Sequence, residues 1–352
     1  MRQSRAWSAV RAALPFVAVA ASAFATAFGL VDFGARAFAA SPPPLLCDRY
    51  SGEVSSADPH AGMVRLAGGR YTMGSDDHYA EEALTHEVRV DGFWIDRHDV
   101  TNAQFARFVA ATGYRTVAER MPDLQRHPDL PDAMRVPGSV VFVMPEGGHA
   151  GHWRYSAGAD WRHPQGPGSS IAGLANHPVV QVAYEDALAY AHWLGRELPT
   201  EAQWEYAARG GLEEQTYVWG NEYTPHGKAM ANTWQGLFPV VNTATDGYAG
   251  TSPVGCYAAN GYGLYDMAGN VWQWTSTWFS PGHGSRAVVN PVGPDELESY
   301  DPRQPGVPAK VIKGGSYLCA PNYCMRYRPA ARQARETDSG TSHIGFRTVA
   351  KL

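Results

Sequence analysis

Cysteine is scarce in this chain, with 4 among 352 residues, at positions 47, 256, 319 and 324. Four cysteines admit only three pairings, and a closed zinc site of four thiolates would use them all. Charge of one sign is also lacking. A formal net charge of -5 leaves no electrostatic footprint for nucleic acid. No block of like charges stands out as a tail or a membrane-surface patch. An internal repeat of fixed period and a low-complexity linker are both missing, so one compact domain is the simplest organisation.

Aromatic residues are abundant. Eleven Trp and 18 Tyr, within a chain that is 44% hydrophobic, are enough to fill a sizeable core. With 37 Gly and 25 Pro, about one residue in six disfavours helix or strand interiors. The expected fold class is therefore α+β and loop-rich, with short strands and few helices.

The first residues differ in kind. Arg2, Arg5 and Arg11 precede an apolar run from Ala12 to Val31, and the small-residue signature Ala37-Phe38-Ala39 follows. This pattern reads as a signal peptide over 1–39, with a leader over 40–62 and the folded domain over 63–352. The competing reading is an uncleaved membrane anchor, because about 20 apolar residues span a bilayer. Pro15, Ser22, Thr26 and Gly29 dilute the run and favour export to a periplasmic or extracellular space, with no stable membrane insertion after cleavage. Export would permit disulfides. Whether Cys47 and Cys256 pair stays open at this level.

MVRLAGGRYTMGS places Gly68-Gly69 between two alternating runs and predicts a hairpin. In TNAQFARFVAATG, Thr101 and Gln104 have capping-box spacing, Phe105, Phe108 and Val109 share a helical face, and Gly113 is the expected stop. A second helix is expected over YEDALAYAHWLG, burying Ala187, Leu188 and Trp193 or their neighbours. A third follows in PTEAQWEYAARGG, capped by Thr200 and Gln203, with Trp204 and Ala208 turned inward. Residues 120–177 show no clean period. His149 and His152 lie there without a third ligand nearby, which favours ordinary loop histidines over a metal site.

The stretch GGSYLCAPNYCMRYRPAAR, residues 314–332, carries Cys319 and Cys324 across a Pro-Asn turn signal. Residue chemistry alone leaves three readings. They are a local disulfide, which the spacing permits, half of a structural zinc site, and a reactive or metal-binding pair. Soft thiolates select Cu(I) over oxygen-loving ions. A two-thiolate site would leave coordination open for substrate, and Arg326, Arg328 and Arg332 could either favour thiolate or form buried salt bridges.

LPTEAQWEYAARGG, ANTWQG, NGYGLYDMAGNVWQWTS, KGGSYLC, YCMRYRPAAR and GFR, in that order, resemble the formylglycine-generating enzyme (sulfatase-modifying factor) family from about Met63 to Val349. The resemblance implies the C-type-lectin-like fold of that family. It also implies oxidation of the cysteine in a sulfatase Cys-x-Pro-x-Arg segment to Cα-formylglycine. In the family a copper ion held by two thiolates receives the substrate thiolate and activates O2, and the thioaldehyde formed is hydrolysed with loss of sulfide. Carried over, Cys319 and Cys324 would hold Cu(I), Ser316 would sit beside the oxygen or substrate site, and Trp272 would line it. The partners implied are an unfolded or nascent sulfatase polypeptide, O2 and a thiol reductant.

The resemblance further implies two Ca2+ sites. Asn232, Thr233, Asp246 and Tyr248 match the first, and Asp266, Gly269, Val271 and Gln273 match the second. The second departs from the family pattern, since Gln273 stands where glutamate is usual and Asp266 where asparagine is common. Ala320 departs as well, where members often carry histidine, and this puts peptide preference in doubt. An alternative of another class is a peptide- or glycan-binding module on the same fold, which would not need the cysteine pair. An iron-dependent sulfoxide synthase would need a histidine-rich helical region, and the chain has no HxxxH helix.

Overall fold

The computed structural model describes Cys47 and residues 58–352, apart from Arg126. The expected signal peptide and most of the leader lie outside the described residues. Among the described residues, no helix is long and apolar enough to cross a membrane.

Strand β1 (Met63–Leu66) leads through Gly68 and Gly69 to β2 (Gly69–Met73), followed by β3 (His86–Val90) and β4 (Phe93–Asp96). The expected hairpin does not form. β1 pairs antiparallel with β4, and β2 pairs antiparallel with β3, in separate sheets. Gly68, at φ 74°, lies so close to the Val90–Gly92 backbone that a Cβ there would stand 2.4 Å from the Val90 carbonyl oxygen. The glycines let the chain swing onto a second sheet instead of doubling back.

The three expected helices form, the first and third behind Thr–Gln capping boxes and the second without a side-chain cap. Helix α1 (Asn102–Thr112) opens on a reciprocal Thr101–Gln104 capping box and ends at left-handed Gly113. Phe105, Phe108 and Val109 are buried. After the hairpin of β5 (Gly138–Val143) and β6 (His152–Ala157) comes α2 (Tyr184–Trp193). It buries Ala187, Tyr190 and Ala191, whereas Trp193 remains 37% exposed and Leu188 only partly covered. Helix α3 (Glu201–Arg209) has the Thr200–Gln203 box and buries Trp204 and Ala208.

Strand β7 (Trp272–Trp278) is central to the sheet beneath the site, and β8 (Val288–Val289) adds to β3. β9 (Ala309–Lys313) lies between β7 and β10 (Arg332–Glu336), and β11 (Ile344–Gly345) runs parallel to β7 on its other side. β12 (Val349–Lys351) closes the first sheet against β4.

The core is aromatic but also strongly ionic. Glu201 and Glu205 of α3 face Lys313 of β9, whose Nζ lies 3.0 Å from Glu205 Oε2 and 3.5 Å from Glu201 Oε1. Arg332 reaches both oxygens of Glu201 at 2.8 Å, and Arg328 reaches both of Glu82 at 2.7 and 2.5 Å. Charges this deeply buried are tolerated because each is paired and hydrogen-bonded. Two of the arginines in the cysteine segment therefore anchor it.

Candidate metal centre and cleft

β9 runs into Gly314 and Gly315, both left-handed at φ 96° and 71°. A Cβ on Gly315 would stand 2.9 Å from the Arg326 and Tyr327 backbone. Only glycine permits this close return of the chain. From Ser316 the backbone turns tightly, with Cys319 N–H donating to the Ser316 carbonyl at 2.9 Å and Cys324 N–H to that of Ala320 at 2.8 Å. The turn brings the two sulfurs to 2.7 Å. Both cysteines are buried and neither is in a disulfide. The separation exceeds the ~2.05 Å of an S–S bond.

The pair lies at the wall of a cleft of about 840 Å³. Trp272, Ser316 and His343 line it next to the cysteines, and Trp153, Tyr155 and Tyr323 stand further out. The aperiodic 120–177 stretch, unreadable from sequence, supplies much of the rest of the lining, from Arg120 to Met134 and from β5 and β6. His149 and His152 are exposed on that hairpin.

The two thiols are electrostatically unequal. The hydrogen bond from Cys319, opposed by burial and aided by Arg326, lowers the Cys324 pKa to about 7. Burial, together with the neighbouring Cys324, pushes Cys319 well above the ordinary thiol value. The deeper burial of Cys319 and the Arg326 charge beside Cys324 both favour Cys324 as the thiolate of the pair. Arg326 is held by an ion pair with Glu81 and stacks 3.9 Å over the Tyr79 ring.

Two adjacent thiols suit a soft ion of low coordination number such as Cu(I). Among the described residues no group of three or more His, Cys, Asp or Glu could hold a metal, which disfavours the zinc reading. The donor set fits copper.

The first expected calcium set is brought together. Asp246 accepts from the Thr233 amide at 3.0 Å and from the Tyr248 amide at 3.3 Å. Burial, opposed by these donors, raises its pKa. Asn232 Oδ1 is buried without a hydrogen-bond partner among the described residues. An orphaned amide oxygen in the same loop set as a half-buried carboxylate is the kind of oxygen donor a hard cation takes.

The second set does not fit. Gln273 Oε1 accepts from Trp204 Nε1 at 2.6 Å and from Arg347 Nε at 2.7 Å, while Gln273 Nε2 donates to the Asp266 carbonyl at 2.8 Å. Arg347 also donates to the carbonyls of Tyr265 and Asp266, so a guanidinium supplies the positive charge there. Asp266 Oδ2 accepts from Gly255 N–H at 2.6 Å, and burial, opposed by that bond and by Arg347, lifts its pKa to about 6. Gly269 donates its N–H to the Gly314 carbonyl, and Val271 is buried next to β7, so both serve packing.

Two further outcomes concern the site. Ala320 is fully buried among Phe142, Trp234 and Phe238 and does not line the cleft. His343, unmarked in the sequence apart from its position just before the GFR motif, lies within 3.5 Å of Ser316 Oγ. Elsewhere, Cys47 and Cys256 form a disulfide.

The model of the "Sulfatase-modifying factor enzyme 1-like domain" family matches residues 51–352. A Mycobacterium tuberculosis protein named "Formylglycine-generating enzyme" is 52% identical over 298 residues, covering 82% of this chain and 97% of its own. A Thermomonospora curvata protein of the same name is 48% identical over 298 residues, covering 82% and 93%. Among solved structures, PvdO from Pseudomonas aeruginosa superposes with a TM-score of 0.55 at 26% identity, covering 82% of this chain and 94% of that one.

Proposed function

The chain belongs to the sulfatase-modifying factor enzyme 1-like family, and on that premise we propose that it activates sulfatases by oxidising one cysteine of a Cys-x-Pro-x-Arg segment to Cα-formylglycine. The observation that carries this reading is the buried, unbonded pair Cys319–Cys324, 2.7 Å apart at the wall of a cleft large enough for an extended peptide.

The balance of the reaction sets what else is required. Conversion of the client's thiol-bearing methylene to an aldehyde, with release of hydrogen sulfide, removes two electrons from the client, and reduction of O2 to water takes four. Two more electrons must come from a reductant, which we assign to an external thiol. Cys319 and Cys324 would hold Cu(I), whose bound form supplies O2 activation and a coordination position for the client sulfur. The chain's own residues prepare that encounter. Cys324 offers a thiolate near neutrality, and metal binding would displace the proton held by Cys319. The Trp272 indole, 1% exposed, gives the wall an apolar surface next to the sulfurs. Ser316 presents a hydroxyl within one turn of Cys319.

The cleft admits an extended segment and not a folded domain, so an unfolded or nascent sulfatase is the natural client. The Cys47–Cys256 disulfide supports an oxidising, exported setting. Asn232, Thr233, Asp246 and Tyr248 support one structural Ca2+.

The test is incubation of the mature protein, loaded with Cu(I), with a Cys-x-Pro-x-Arg peptide and O2, followed by mass spectrometry. Aldehyde should form with the parent protein, and Cys319→Ser and Cys324→Ser should each abolish it. Full turnover by either variant would refute the assignment.

A further inference from the structure

His343 stands in the cleft wall between two residues already placed there. Its carbonyl accepts from the Trp272 amide at 2.9 Å, and its ring meets Trp153 edge-on with centroids 4.7 Å apart. Its Nδ1 lies 3.5 Å from Ser316 Oγ, long for a hydrogen bond, as contacts in a site often are before substrate seats.

The hydrogen-bond inventory allows two directions for that contact, according to the imidazole tautomer. A serine hydroxyl has one hydrogen and two lone pairs. Ser316 Oγ accepts from Leu318 N–H at 3.2 Å, which leaves its hydrogen free to point at His343 Nδ1 when that nitrogen is unprotonated. The imidazole then carries its own hydrogen on Nε2. Burial, reinforced by Arg335, lowers the imidazole pKa to about 3, so the ring is neutral and one of its two nitrogens is an acceptor. In the Nε2–H tautomer, with its hydrogen on His343 Nδ1 and one lone pair on Leu318, Ser316 has its second lone pair available to the cleft next to Cys319.

Resting on the function proposed above, we propose that His343 is a positioning residue. By taking the Ser316 hydrogen at Nδ1, it turns Ser316 Oγ into an acceptor for the S–H of the client cysteine and so holds that thiol against Cys319 and Cys324. No proton is transferred to the imidazole in this role. The residue acts through Ser316 and sets alignment more than affinity.

The test compares His343→Phe, which keeps a ring against Trp153 but has no acceptor, with His343→Asn, which restores an acceptor near the place of Nδ1. His343→Phe should lower kcat about tenfold with KM little changed, and His343→Asn should recover most of the loss. In a Ser316→Ala background, His343→Phe should cost nothing further. Parent-like kcat in His343→Phe, equal impairment of both variants, or fully additive losses would each overturn the proposal. Nitrogen-15 spectra of the imidazoles in the metal-free protein give a readout that needs no turnover. The Nε2–H tautomer is expected, with the Nδ1 resonance of His343 moving in Ser316→Ala. An Nδ1–H tautomer, or a resonance unmoved by Ser316→Ala, would overturn the pairing. If the parent protein converts no peptide, the proposed function fails, and these spectra still decide the pairing.

Discussion

Trp204 Nε1 donates to Gln273 Oε1 at 2.6 Å, and the same oxygen receives Arg347 Nε at 2.7 Å. Gln273 is therefore a strut between α3 and the Arg347 guanidinium, not a ligand awaiting a cation. Gln273→Leu should lower the thermal midpoint, because stranding two buried donors costs about 1–3 kcal/mol or more. It should leave intact whatever stabilisation calcium confers, whereas Asp246→Asn should remove that increment. Calorimetry with and without Ca2+ measures both, and loss of the increment in Gln273→Leu would restore the second site.

The inequality of the two thiols is open to direct chemistry. In the metal-free protein, alkylation of Cys324 by iodoacetamide should rise through about pH 7 and then level off, while Cys319 reacts far more slowly. Arg326→Gln removes a positive charge that favours the thiolate, so the midpoint should move upward and the rate at neutral pH should fall. An unmoved midpoint would mean that Arg326 acts only through its Glu81 anchor.

Acid stability should depend on α3. Burial works to raise the Glu205 pKa, but Lys313 and Arg209 outweigh it and hold the carboxylate at about 2. An unfolded glutamate titrates near ~4.3. The folded value is the lower one, so the contribution is present above about pH 4.3 and is lost as pH falls toward 2. Lys313→Met leaves two buried carboxylates short of a partner and should cost about 3–5 kcal/mol at pH 7. The penalty should be clearly smaller at pH 3, and urea titrations at the two values test this. An equal penalty at both would refute the electrostatic account.

The Cys47–Cys256 bond spans 209 residues and should stabilise chiefly by restricting the unfolded chain, typically by about 2–4 kcal/mol. The Tyr248 hydroxyl lies 3.3 Å from Cys256 Sγ and 3.6 Å from Cys47 Sγ, within the first calcium set. The double variant Cys47→Ser/Cys256→Ser should therefore melt earlier and bind Ca2+ several-fold more weakly. Its rate of peptide conversion per folded chain should be unchanged. A parent-like calcium titration would separate the disulfide from the cation site.

Much of this is legible in the residues. Thr101 and Thr200, each three residues ahead of a glutamine, announce two helix starts, and Gly113 announces a helix end, because capping is local chemistry. The paired cysteines in their arginine frame mark the site for the same reason. The hairpin expected at Gly68-Gly69 does not form, since alternation names a strand but not its partner, and contact with Val90–Gly92 makes the choice. Gln273 is visible as a departure, but Arg347, 74 residues away, decides what it does. Ala320 bears on substrate preference in the sequence, yet its place under Phe142 and Trp234 takes it off the cleft wall. His343 escapes sequence reasoning because a lone histidine before GFR carries no pattern until the fold sets it against Ser316.

The cysteine turn is supported by partners made long before it and shortly after it. Glu82 grips Arg328 across 246 residues, and Thr348 closes onto Asp96 across 252. While the chain is being synthesised, or threaded N-terminus first through a membrane, Cys47 and Cys256 are both available before Cys319 exists. Their bond can close while no other thiol competes. When Cys319 and Cys324 emerge, the thiols with which they could mispair are already taken. The order of appearance along the chain would then favour Cys47–Cys256 over cross-pairing with Cys319 or Cys324, in addition to the geometry that joins the first pair.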